Sequence, residues 1–354
     1  MKLRIKPSIP LCALLLLAAC SSGGDAPADG TAPEAPVALE LSAQMGGVTV
    51  ETQTRAHDDT WEAGDAIGVF TYPKLSATAE ATNVQYTTEA GGDTWVVSEV
   101  FIPFAPVGTP IYLSSQEVYV YAYHPYKSDT YANTTPTAYP ISVADQSSQE
   151  AIDWLVTGRV EFTEPGGSTP ISKNNPAVKL RFRHALAKVQ VNLLHGEGMK
   201  ASDLTDVTPT VSIGAGLKTT ANLNLFYGTL GSGSLDGAST PITMKHMDTP
   251  GSGVFDEGGT KTADQSYEAI ILPQQPYTGG VTVTIQMGDV GDGRYGRYYF
   301  ELRAPTAPEA NVFTAGYRYI YNVRVNAKAL TVTSTVTPWE SGADEAETLH
   351  FENN

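Results

Sequence analysis

An all-β fold, built from antiparallel β-sandwiches with little helix, is what this 354-residue sequence predicts. Three observations carry the prediction. Apolar and polar residues alternate with period two in several separate segments, the pattern of half-buried strands. Glycine and proline are plentiful, at 33 and 23 residues, and Gly/Pro turns split many of those segments. Helical periodicity is scarce, and Thr and Tyr, which suit a pleated surface, are plentiful.

Taken in chain order, Gly47–Glu51 (GVTVE) is the first strand candidate. In EVYVYAYHPY, Val118, Val120 and Ala122 alternate with Tyr119, Tyr121 and Tyr123, so both faces are expected to be partly buried. Ser147–Leu155 is the best helical candidate, with Ser147 and Glu150 at capping-box spacing and room for one or two turns. In ALAKVQVNL, Val189, Val191 and Leu193 oppose Lys188, Gln190 and Asn192. VTVTIQM places Val281, Val283, Ile285 and Met287 on one face. YRYIYNVRVN does the same with Tyr317, Tyr319, Tyr321, Val323 and Val325. The tyrosines are expected to pack as core and cross-strand pairs, with stacking of exposed rings on sugars as the alternative. A Gly/Pro/Ser/Asn-rich stretch at 166–178 marks the expected domain break, and Gly228–Gly237 reads as a loop in the second half. The expected organisation is a leader over 1–19, a tether over 20–46, and β-sandwiches over 47–177 and 178–354.

Lys2, Arg4 and Lys6 precede an apolar run from Ile9 to Ala19 that is too short to span a bilayer as a helix. It closes on Leu17-Ala18-Ala19-Cys20, the arrangement of a bacterial lipoprotein cleavage site. Cys20 is therefore the expected lipidation site, and an ordinary secretory leader is the alternative. The chain has two cysteines, and Cys12 lies inside the leader. The mature chain then has no disulfide, CxxC pair or thiolate metal site. The formal net charge is -16, and losing the leader makes the remainder more acidic still. Such a surface argues against nucleic acid and against peripheral binding to anionic lipid.

The residue types of known catalytic centres do not assemble in this sequence. There is no G-x-S-x-G elbow, and the six histidines form no HxH, HxxxH or HExxH. Gly288–Gly293 lacks the spacing of a calcium loop, and no glycine-rich segment follows a nucleotide-binding pattern. Neither an enzyme activity nor a cofactor nor a metal is expected.

Trp61-Glu62-Ala63-Gly64-Asp65-Ala66-Ile67-Gly68-Val69, Tyr121–Tyr126 (YAYHPY), Phe182–Val189 (FRHALAKV), Ile271–Gln274 (ILPQ), and Gly316–Tyr319 with Trp339–Gly342 stand in one order along the chain. Together they resemble the motifs of the fimbrillin (Mfa-like) family, pilus subunits and surface lipoproteins of Gram-negative anaerobes. The resemblance covers residues from about 50 to 342. It implies two tandem antiparallel transthyretin-like (Greek-key) β-sandwich domains, with Trp61, Gly64, Asp65, His184, Pro273 and Trp339 as structural motif residues. It also implies assembly with other pilus subunits by strand exchange, after an arginine-specific protease removes an N-terminal strand. Arg55, followed by Ala56, stands where such a cut would fall; an exposed loop arginine is the alternative reading. The resemblance places the protein at the cell surface, held to outer-membrane lipid through Cys20 or, if processed, in a pilus that mediates adhesion. The competing reading on the same fold is a surface protein binding a host glycan or another host ligand. Leu330–Thr337 suits either an integral edge strand or a donated one, and the acidic tail after Trp339 is expected to lack structure.

Overall fold

The structure, a computed structural model, describes residues 35–45, 61–89, 101–128, 136–231, 235, 239–255, 259–275, 280–288, 296–303 and 312–339, and the backbone of 347–352. Nearly all of its regular structure is β, as the alternation and turn chemistry require. Seven strands close on themselves: Ala177–His184, Glu40–Met45, Ile102–Pro106, Ala81–Thr87, Ala66–Pro73, Val118–His124 and Leu155–Val156. The inward positions of the period-two segments fill this ring. Ile67 and Val69, Val118 and Val120, and Val178, Leu180 and Phe182 all belong to one buried cluster. Close approach decides one position: a Cβ on Gly68 would lie 2.1 Å from Tyr123 Cε1.

Beyond His184 the chain builds a second core. A six-stranded sheet runs Lys245–His246, Gln265–Ile271, Ala187–His195, Tyr317–Val325, Leu330–Pro338 and Glu347–Glu352. A four-stranded sheet runs Ile242–Thr243, Thr210–Ile213, Val281–Gln286 and Arg297–Leu302. Val189, Val191, Tyr319, Tyr321 and Val323 of the first meet Val211, Val283, Ile285 and Phe300 of the second in one apolar cluster. Most ladders are antiparallel. Two among the described residues are parallel: Glu40–Met45 with Ala177–His184, and Ala187–His195 with Tyr317–Val325. A third cluster joins the two cores, with Phe70, Tyr123, Trp154, Leu186, Leu223, Leu272 and Trp339. There Tyr139–Ser142 pairs with Thr220–Asn224, segments from opposite halves of the sequence.

Several expectations are corrected. The tether expected over 20–46 is shorter, because Val37–Ala38 and Glu40–Met45 are strands. The strand candidate at 47–51 lies outside the described residues. The chain leaves the barrel at His184 rather than at 177, because Ala177–His184 hydrogen-bonds back to Glu40–Met45. The expected capped helix is one 3-10 turn, Gln149–Ala151, whose N-cap Ser148 makes no side-chain cap bond. Buried Gln146 anchors this region instead, donating to the Ile270 carbonyl at 3.0 Å and accepting from Ile270 N at 2.9 Å. A five-residue helix, Ala201–Thr205, had no periodic signal.

Ala187–His195 is buried on both faces rather than one. Gln190 and Asn192 lie against Gly251, at the start of the hairpin of Ser252–Val254, where Gly251 N donates to Ser266 Oγ and Ser266 Oγ to Asn192 Oδ1. Asn192 Nδ2 in turn donates to Asn322 Oδ1 at 2.8 Å, so this buried polar layer is internally satisfied. The tail is not wholly structureless: Glu347–Glu352 pairs antiparallel with Leu330–Pro338.

Candidate functional site: the slot of the N-terminal strand

LELSAQM alternates strictly, with Leu39, Leu41, Ala43 and Met45 opposed to Glu40, Ser42 and Gln44. That pattern makes a strand with one apolar face. Glu40–Met45 lies between two partners, antiparallel to Ile102–Pro106 and parallel to Ala177–His184. Leu41 sits opposite Phe104, and Ala43 opposite Ile102. Leu39 N donates to the Ile111 carbonyl at 2.8 Å, and Glu40 N to the Pro176 carbonyl at 3.0 Å. Leu39, Leu41 and Ala43 are buried among the barrel core. Burying the two leucines alone contributes about 3–6 kcal/mol. The slot is therefore specific for an alternating apolar strand, and a vacated slot would expose a continuous row of unpaired backbone groups. The sequence reading missed this strand because the Pro/Ala-rich run before it masks the alternation, which was the available signal.

The motif residues fall into two groups in space. Trp61 is buried against the slot, edge-on to Phe104 at 5.0 Å and to Phe182 at 5.2 Å between ring centroids. Gly64 turns the chain with φ +100°. Asp65 holds that turn, its carboxylate accepting from Glu62 N at 2.7 Å. Together they lead into strand Ala66–Pro73. His124 packs edge-on to Trp61 at 5.3 Å and donates from Nδ1 to the Ala66 carbonyl at 3.0 Å. Burial there pushes its pKa below the usual histidine range, opposed by the Asp65 charge.

The second group lies at the junction of the cores. His184 donates from Nδ1 to Asp153 Oδ1 at 2.8 Å and stacks on Trp339 at 3.9 Å. Lys188 Nζ lies 4.8 Å from the Trp339 ring and 3.3 Å from Glu268 Oε2. Trp339 N donates to the Gly316 carbonyl, and Gly316 N to the Leu186 carbonyl. Pro273 stands between Leu272, which packs in the same cluster, and Gln274, whose side chain clasps the Lys218 backbone through Nε2 at 2.9 Å and Oε1 at 2.7 Å. Lys188 belongs to the FRHALAKV motif, while Asp153 and Glu268 were not expected in this group. Their side chains meet through long-range pairing that no local pattern encodes.

Cys20, Arg55 and Ala56 lie outside the described residues, as does most of the Gly288–Gly293 loop. Among the described residues no three His, Cys, Asp or Glu side chains gather as a metal site. No helix of the described residues is long and apolar enough to cross a membrane.

A β-sandwich protein with an N-terminal strand seated in a slot between sequence-distant strands is the class that fold and site define. The chain belongs to the fimbrillin-like family, whose model matches residues 54–339. It is 29% identical to "Putative fimbrium subunit Fim1C" of Bacteroides uniformis, over 98% of this chain and 100% of that protein. Two solved structures share the fold. A "putative cell adhesion protein" from Bacteroides uniformis has a TM-score of 0.62 at 23% identity, covering 89% of this chain and 100% of its own. A second, from Bacteroides ovatus, has a TM-score of 0.60 at 21% identity, covering 88% and 100%.

Proposed function

We propose that this protein is a fimbrial subunit of the cell surface, exported through a lipidated Cys20 and assembled by strand exchange. The observation that carries the reading is the seating of Glu40–Met45 in the barrel. A cut after Arg55 would separate this strand covalently from everything that follows Trp61. The slot then needs a replacement strand from a neighbouring subunit, since main-chain hydrogen bonds give the affinity and alternate apolar side chains fill the pockets. The length of the strand and the buried Leu39 and Leu41 favour exchange over loss, because an empty slot costs several kcal/mol.

Of the two candidates for the donated strand, Leu330–Pro338 has partners on both sides, and Leu330, Val332 and Val336 lie in its own core. Donating it would empty that core. Glu347–Glu352 has one pairing partner and lies at the sheet edge, so it is the donor on this reading. Residues up to His184 and from Ala187 onward act as two domains welded through the Trp339 cluster. Adhesion would then be a property of the assembled fibre.

Purified precursor treated with an arginine-specific protease should yield a fragment beginning at Ala56, followed by a ladder of oligomers that survives mild denaturant. Deleting 347–354 should leave cleavage intact and abolish the ladder. A cleaved protein that stays monomeric, or a ladder unaffected by the deletion, would sink this assembly scheme.

A further inference from the structure

The slot has an outward face as well as an apolar one, and its charge is one-sided. Ala177–His184 flanks the slot in parallel and alternates buried Val178, Leu180 and Phe182 with Lys179, Arg181 and Arg183. These cations line one strand of a chain with 22 basic residues against 38 acidic ones. The register sets Lys179 beside Ser42 and Arg181 beside Gln44. Neither residue of the seated strand brings a charge to its cation. On the other flank Ser42 stands opposite Pro103 and Ala43 opposite Ile102, which bring none either.

The mismatch is sharpest at Arg181. Its Nε and the Oε1 of Gln44 are both buried atoms, and each lacks a hydrogen-bond partner. A donor and an acceptor thus stand in register on neighbouring strands, both desolvated and neither satisfied. The cations on either side are engaged. Lys179 Nζ lies 3.1 Å from Glu164 Oε1 and 5.4 Å from the Phe101 ring. Arg183 donates to the Tyr227 carbonyl. A carboxylate at the place of Gln44 would answer the mismatch, because it can accept from the guanidinium in a two-bond fork that a neutral amide cannot match in strength.

The chain itself contains a strand of the required chemistry. In ETLHFE, the sequence of Glu347–Glu352, Leu349 and Phe351 alternate with Thr348, His350 and Glu352. Entering in the direction of the strand it replaces, with Leu349 and Phe351 in the places of Leu39 and Leu41, it would set Glu352 at the place of Ser42, beside Lys179. Moved along by two residues, it would set Glu352 at the place of Gln44, beside Arg181. Both seatings keep the apolar positions inward, and both bring the carboxylate to a cation.

We propose that Lys179 and Arg181 are specificity determinants of the slot, which prefers a strand with a carboxylate on its outward face, and that the Glu347–Glu352 strand of a second copy is the occupant, meeting them through Glu352. The occupant rests on the strand-exchange reading; the preference does not, so the two are tested apart. In the uncut full-length chain, Gln44→Glu should raise the urea midpoint. The gain should vanish when Arg181→Gln is added, and shrink in about 0.5 M sodium chloride. Gln44→Lys should lower the midpoint. A Gln44→Glu midpoint at or below the parent's, or a gain that survives Arg181→Gln, would overturn the preference whatever happens on assembly. In cleaved protein, Glu352→Lys should slow the oligomer ladder about tenfold or more, since opposite charges no longer guide the strand in. Adding Lys179→Glu and Arg181→Glu to Glu352→Lys should restore the rate, provided that this chain keeps the parent's barrel by circular dichroism. A parent ladder indifferent to Glu352→Lys would overturn the occupant and leave strand exchange standing. No ladder from the parent at all would sink strand exchange and the occupant together, while the Gln44 series still decides the preference.

Discussion

His184 lies flat on Trp339, with ring centroids 3.9 Å apart and planes 6° from parallel. One residue ends the last barrel strand, and the other follows the strand Leu330–Pro338 of the second core. Their stack pins the two cores together, flanked by the Asp153 carboxylate and the Lys188–Glu268 pair. Trp339→Ala should destabilise the protein by about 3–5 kcal/mol, the usual cost of emptying a large buried aromatic site. Urea denaturation should show it as a lower midpoint. A second transition in that curve would mean that the two cores have become independent of each other.

Leu41→Ala should cost about 2–5 kcal/mol in the uncut precursor, because Leu41 is buried in the barrel core. In cleaved and assembled material the same substitution should have no effect, since a donated strand then occupies the slot. Comparing urea midpoints of the two forms separates strand exchange from simple nicking. Equal loss in both forms would show that the native strand stays in place.

His124 supplies a pH dependence with a definite sign. Burial holds its folded pKa below the ordinary value of 6.5, so the unfolded chain takes up the proton first as pH falls. Its contribution to stability is present above about pH 6.5 and is lost as pH drops toward the folded value. The urea midpoint should therefore fall between pH 7.5 and 5, and His124→Asn should flatten part of that slope. A slope identical in parent and variant would show that other groups carry it.

Cys20→Ala should abolish metabolic labelling with palmitate and move the protein from the membrane fraction to the soluble periplasmic or secreted fraction. Persistent labelling in the variant would exclude Cys20 as the acylated residue. An Edman-accessible N-terminus in the wild-type membrane fraction would point to the ordinary secretory leader instead.

Particular residues show which parts of the fold were legible in the sequence. Val118–His124, Ala187–His195, Val281–Gln286 and Tyr317–Val325 are strands where the alternation places them. Glu40–Met45 carries the same signal, yet its Pro/Ala-rich approach reads as tether. Lys188, Gln190 and Asn192 read as a solvent face, and they are buried because segments distant in sequence lie against them: Trp339 and Glu268 at Lys188, and Gly251 at Gln190 and Asn192. For the candidate site, Trp61, His184 and Trp339 could be singled out as motif residues. Their partners Phe104, Asp153 and Lys188 could not be assigned to them, since nothing local marks such pairings.

By itself the sequence determined the β character and the ordered motifs, because each is written in neighbouring residues: pleat period and turn chemistry. Only the tertiary structure decided that Glu40–Met45 closes the barrel, that Leu330–Pro338 is held on both sides, and that His184 meets Trp339. The reason is physical. Alternation specifies which face of a strand is apolar, while the choice of its neighbour depends on how remote segments pack, and a strand's own residues carry little of that information.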